Sequence, residues 1–171
     1  MPGTVYTVPP IPPDPANTTY VAGGGLRIGV EHRLLDAGEL AANYEGAAME
    51  EVQANITGDI EDNGLSLHVE GADGHEYLRF DCFTSGPHYH YIEPSGEQQT
   101  IVDFDRVALG EMLPWVLHQL RTRLDAMLEY AGGGALLSTI NRAEVDRLLP
   151  EVEHLARRAE SELASQKKQR R

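Results

Sequence analysis

The chain has 171 residues, 41% of them hydrophobic, with 27 acidic against 14 basic side chains and a formal net charge of −13. That length suits a single domain able to bury a real core, and a field of that sign repels DNA and RNA, which argues against nucleic-acid binding. Cys82 is the sole cysteine, which excludes a disulfide framework and fits a reducing compartment. No basic-then-apolar leader is visible and no apolar run approaches the ~20 residues of a membrane span, so a cytoplasmic protein is expected.

Residues 1–19 contain Pro2, Pro9, Pro10, Pro12, Pro13 and Pro15. Such a segment prefers extended polyproline conformation and cannot be a helix; it reads as an arm preceding a single α+β domain over 20–171. Gly23-Gly24-Gly25 leads into a strand from Leu26 to Leu35, and residues 37–50 read as a short helix weakened by Gly38 and Gly46. Val52, Ala54, Ile56 and Ile60 alternate with polar residues as in a strand. Asn63-Gly64 and Asp73-Gly74 have the chemistry of two-residue hairpin turns. Leu65, Leu67 and Val69 alternate between them, and Leu78, Phe80 and Cys82 follow. Ser85-Gly86-Pro87 turns the chain into His88–Glu93, and Pro94-Ser95-Gly96-Glu97 turns it into Thr100–Asp105. The pattern predicts an antiparallel meander of five to six strands over about 26–105.

Two helices follow, at about 107–131 and 142–166. The first carries Leu109, Leu113, Val116, Leu117, Leu120, Leu124, Met127 and Leu128 at helical spacing and ends at Gly132-Gly133-Gly134. The second opens on an Asn141/Glu144 capping pair and carries Val145, Leu148, Leu149, Val152, Leu155 and Ala156; Pro150 should bend or divide it. A strand, a helical segment, antiparallel strands and a long C-terminal helix resemble helix-grip ligand-binding folds, a likeness of element order that implies no activity.

The turns imply registers: Ile60 with Leu67, Asp59 with His68, His68 with Arg79, Val69 with Leu78, Asp81 with His90, His90 with Ile101 and His88 with Asp103. They agree on two faces. Ile56, Ile60, Leu65, Leu67, Val69, Leu78, Phe80, Cys82, Tyr89, Tyr91, Val102 and Phe104 form an apolar face, for which the helices are the available cover. Asp59, Ser66, His68, Glu70, Tyr77, Arg79, Asp81, His88, His90, Ile92, Ile101, Asp103 and Asp105 form the other.

His88 and His90 of the run Pro87-His88-Tyr89-His90-Tyr91 share that polar face. Two imidazoles with carboxylates are a ligand set for iron, manganese or zinc, here His88, His90, Asp81 and Asp103. The same groups suit acid–base work, with His88, His90, Asp81 and Arg79 as the catalytic candidates. His68 and Asp59 in a row with Arg79, and Tyr89 and Tyr91 if the helices stand off the sheet, are candidate ligand contacts. Two functional expectations result. One is a non-catalytic, acidic binding protein that engages a protein partner or a second copy of itself. The other is a small metal-dependent or histidine-dependent enzyme with its His/Asp cluster on the polar face of the sheet; beside both stands passive binding of a small-molecule ligand between helices and sheet.

Overall fold

A computed structural model describes residues 2–56 and 61–169. Its centre is one seven-stranded antiparallel sheet: β1 (Thr4–Tyr6), β2 (Thr18–Gly23), β3 (Leu26–Asp36), β4 (Glu61–Gly71), β5 (Glu76–Phe83), β6 (His88–Ile92) and β7 (Gln99–Asp103), in the spatial order β1-β7-β6-β5-β4-β3-β2. The α+β class and the antiparallel sheet follow the alternation read from the sequence. The strand count is higher, because the N-terminal segment supplies both edge strands.

One face meets the helices α3 (Arg106–Leu109), α4 (Met112–Thr122), α5 (Leu124–Tyr130) and α6 (Arg142–Gln169). Leu65, Leu67, Leu78 and Phe80 from the sheet are fully buried against Val116, Leu120, Leu128, Val145, Leu149 and Val152. The single helix expected over 107–131 is three pieces. Gly110, at φ 77°, ends α3, and Arg123, at φ −129° and ψ 2°, separates α4 from α5. Pro114 sits in the first turn of α4, where a missing N–H costs nothing. Conversely α6 is not divided at Pro150: that residue is exposed, so the carbonyl it leaves unpaired lies on the solvent side.

Two other expectations are overturned. Val52 and Ala54 belong to a helix, α2 (Gly46–Ala54), which follows α1 (Ala37–Asn43); Ile56 comes after it, and Asp59 and Ile60 lie outside the described residues. Asn63-Gly64 is not a turn but the interior of β4, with Asn63 opposite Leu34 and Gly64 opposite Arg33 and Phe83. Glycine is needed at 64 for close approach instead of a positive φ, since a Cβ there would sit 2.7 Å from the carbonyl oxygen of Cys82. The partner of β4 on that side is therefore β3, and the pairings Ile60–Leu67 and Asp59–His68 give way to Val30–Leu67 and Gly29–His68. The Asp73-Gly74 turn does form, with Gly74 at φ 81°, and pairs Val69 with Leu78 and His68 with Arg79 as expected.

The polar face of the sheet is also covered. Val8, Ile11, Leu40, Tyr44 and Val52 make a small second core there, from α1, α2 and the proline-rich residues 7–17. Those residues cross from one sheet edge to the other. Seven strands at ~4.8 Å spacing put the edges about 29 Å apart, and an extended segment rising ~3.1 Å per residue just spans that distance. The prolines hold this strap extended. It is pinned at several points: Gln99 Nε2 donates to the Val8 carbonyl (3.1 Å), Tyr44 OH to the Pro9 carbonyl (2.7 Å), Arg33 Nη2 to the Ile11 carbonyl (3.0 Å) and Asp14 N–H to Glu31 Oε1 (3.0 Å).

Candidate metal centre and its cavity

Two rungs of the sheet build the site. The first runs Glu31–Ser66–Asp81–His88–Asp103 across β3 to β7, and the second runs Gly29–His68–Arg79–His90–Ile101 beside it. All side chains of a rung share a face. Asp81 is thus opposite His88, where the turn reading had placed His90. The loop between β5 and β6 is two residues out of the expected register, and a two-residue slip preserves the face. His90 opposite Ile101 and His88 opposite Asp103 are as expected.

Asp81 is the hub. Its Oδ2 lies 3.0 Å from His90 Nε2 and 3.3 Å from His88 Nε2, while Oδ1 accepts the hydroxyl of Ser66. Donor atoms of Asp81, His88 and His90 all lie within 4.8 Å of one another. The other ring nitrogens are fixed. His88 Nδ1 donates to the Gly86 carbonyl at 2.7 Å. Gln99 gives its amide N–H to the Val8 carbonyl, which turns its oxygen toward His90 Nδ1 at 2.7 Å. Both imidazoles therefore carry a proton on Nδ1, the tautomer of metal-bound histidine with an outer hydrogen-bond partner. Neutral rings in that state would aim two lone pairs at one carboxylate oxygen, so the geometry calls for positive charge between them. Burial pushes the Asp81 carboxyl up, but the two imidazoles override it and hold it well below the usual range. Burial also opposes charge on both rings. Asp81 wins at His88, whose pKa is raised, whereas burial wins at His90, whose pKa is lowered.

Beside this group lies a second buried set. His68, fully buried, places Nε2 2.7 Å from Glu31 Oε2 and Nδ1 2.6 Å from Glu76 Oε1. Arg79 forks onto Glu76 through Nε (2.8 Å) and Nη2 (2.7 Å), and Arg33 reaches Glu31 at 3.2 Å. A bulge explains how Glu76 arrives. The register jumps from Val69–Leu78 to Glu70–Glu76, so Tyr77 is left out of the ladder. Tyr77, expected on the polar face, turns instead into the helix-covered core, where its hydroxyl bonds Asp73 at 2.8 Å.

Between this floor and its roof of strap, α1 and α2 is a cavity of about 470 Å³, lined by Asp81, His88, His90, Arg33, Arg79 and Gln99 below and by Val8, Ile11, Leu40, Tyr44 and Val52 above. The structure brings together His88, His90, Asp81 and Arg79 at its floor, with His68 just behind Arg79. Asp103 lines the cavity, but is exposed and outside the three-donor group. Asp59 lies outside the described residues. Tyr89 and Tyr91 face away, among Phe80, Trp115 and Tyr130: Tyr89 is 5.2 Å from Trp115 and Tyr91 is 4.5 Å from Tyr130, ring centre to ring centre. They pack in the helix-covered core and do not line the cavity. Cys82 has its thiol pushed up by burial, the wrong direction for a nucleophile. Sequence reasoning missed Glu31, Arg33, Glu76 and Gln99. The first two were readable, because Leu26, Ile28 and Val30 fix the apolar face of β3 and leave Glu31 and Arg33 on the other.

Fold and site together define an α+β protein whose antiparallel sheet is covered on both faces, with a His/Asp group enclosed on the polar one. The chain belongs to the family described as a domain of unknown function, DUF7700, whose model matches residues 20–156, a span that includes Asp81, His88 and His90. No curated protein and no solved structure matches it. Among the described residues, no helix is long and apolar enough to cross a membrane.

Proposed function

We propose that this protein is a divalent-metal-dependent enzyme acting on a small molecule held in the roofed cavity, with Asp81, His88 and His90 as the metal ligands. The observation that carries the reading is the pair of fixed Nδ1 protons, on Gly86 and Gln99, which directs both Nε2 lone pairs at Asp81 Oδ2. A metal ion satisfies all three donors at once. Two histidines and one carboxylate suit iron, manganese or zinc and leave coordination positions for water or a ligand oxygen. Such an ion would polarise that oxygen or activate that water. Arg79, at the same floor, is placed to hold a negatively charged oxygen.

A non-catalytic binding protein is the second reading. It is favoured by the hydroxyl of Ser66 on the other oxygen of Asp81, since a carboxylate hydrogen-bonded on both sides is also satisfied when protons alone supply the positive charge. Metal analysis separates the two. After dialysis against Fe²⁺, Mn²⁺ or Zn²⁺, the wild-type chain should retain about one ion per molecule and the His88→Ala/His90→Ala double variant almost none. A wild-type chain that retains no more of any of the three than the double variant does would overturn the metal reading.

A further inference from the structure

The set behind the metal ligands is electrically unbalanced. Both nitrogens of His68 meet carboxylate oxygens, which only accept, so both nitrogens donate and the ring is an imidazolium. His68, Arg33 and Arg79 then supply three cations against two carboxylates, Glu31 and Glu76, all within a few per cent of full burial except Glu76, whose side chain is 12% exposed. One positive charge is left over in a place where an unpaired charge is costly. Both arginines line the cavity. Arg79 is only 2% exposed; its Nε and Nη2 are taken by Glu76, and its Nη1 has no partner among the described residues. The acidic groups of the cavity lining do not cancel this surplus. Asp81, although its field reaches Arg79, is already matched by the positive charge it shares with His88 and His90, Glu61 and Asp103 are exposed, and Asp62 spends its oxygens on the N–H groups of Ser85 and Gly86. Opposite the cations, the roof presents Val8, Ile11, Leu40 and Val52.

We infer that the cavity takes a small monocarboxylate with an aliphatic body, its carboxylate on Arg79 and Arg33 and its chain against the roof. One charge matches the single surplus cation, and the apolar roof selects the aliphatic tail. The inference deepens the enzyme reading by naming the substrate class of the same chamber, and it rests on that reading for the chamber's role, although its own support is the surplus cation and not the metal.

The test is calorimetric binding of hexanoate, hexanamide and hexylamine to the full chain, once after EDTA treatment and once loaded with Mn²⁺. Hexanoate should bind at least about tenfold more tightly than its neutral amide, hexylamine should not bind, and Arg33→Gln should weaken hexanoate by about tenfold. The wild-type comparison decides even if the variant does not fold. Amide bound as tightly as acid, amine bound at all, or no binding of hexanoate would overturn the proposal. Hexanoate selectivity in EDTA-treated protein that also fails to retain Mn²⁺ would remove the metal and leave the carboxylate site standing; retained Mn²⁺ without hexanoate binding would do the reverse.

Discussion

Gln99 connects the strap to the site through a single amide, taking the Val8 carbonyl with one end and His90 with the other. Gln99→Leu keeps the volume and removes the clamp, freeing the imidazole to turn or change tautomer. Metal affinity should fall about 10- to 100-fold with the fold intact, measured by competition with a chelator of known affinity. His68 gives a pH signature. Burial alone would lower its pKa, but the hydrogen bonds that it donates to Glu31 and Glu76 prevail and raise it. A raised pKa gives stability that is complete below the unfolded value of about 6.5 and fades as pH rises through the folded value. Wild-type melting temperature should therefore decline above about pH 6.5, and His68→Gln should lose this component of the slope while costing about 3–5 kcal/mol near neutrality. A variant with an unchanged slope would show that the ring is neutral in the fold. The metal ligands were legible in the sequence because His-x-His and Asp81 depend only on which face a residue takes, and a two-residue slip leaves that unchanged. Glu76 was not, because a bulge at Tyr77 moves it to the polar face, and nothing in local alternation announces a bulge.

Among the elements, α6 bears most of the helical cover. Val145, Leu149, Val152 and Ala156 are fully buried along one stripe. Its start is clipped to the β2–β3 hairpin: Asn141 N–H donates to the Gly24 carbonyl at 3.0 Å, and Gly24 N–H donates to Glu144 Oε2 at 3.1 Å. The expected capping pair is thus only half local, since Asn141 Oδ1 accepts from Glu144 N–H while the Glu144 side chain serves the hairpin instead. Leu149→Ala should cost about 2–5 kcal/mol in urea denaturation without changing metal stoichiometry, because the stripe and the site lie on opposite faces of the sheet. The elements most easily read were those whose pattern and packing agree, such as β6, β7 and the buried stripe of α6. The segment around Val52 misled because four apolar residues at even spacing fit a strand, while a helical face buries only Val52. Asn63-Gly64 misled because its glycine answers a close backbone approach, and sequence alone does not distinguish that need from a turn.

At the scale of the whole molecule, the two covers of the sheet differ in kind. The helical side is a conventional apolar core. The other side buries Glu31, Arg33, His68, Arg79, Asp81 and His90 under a thin roof, an arrangement that contributes less to stability than apolar packing of the same volume would. A fold that retains such a layer at that cost is consistent with a layer kept for its chemistry. The order of assembly follows from where the roof is anchored. Thr4 pairs with Ile101, so Thr4–Tyr6 have no seat until β7 has emerged from the ribosome. The strap therefore closes over the chamber only once β6 and β7 exist, and until then the imidazoles stand open to the surrounding solution. An ion captured in that interval would be sealed in by the β1 strand and the strap behind it, and one missing it would have to wait for three short rungs of β1 to peel away.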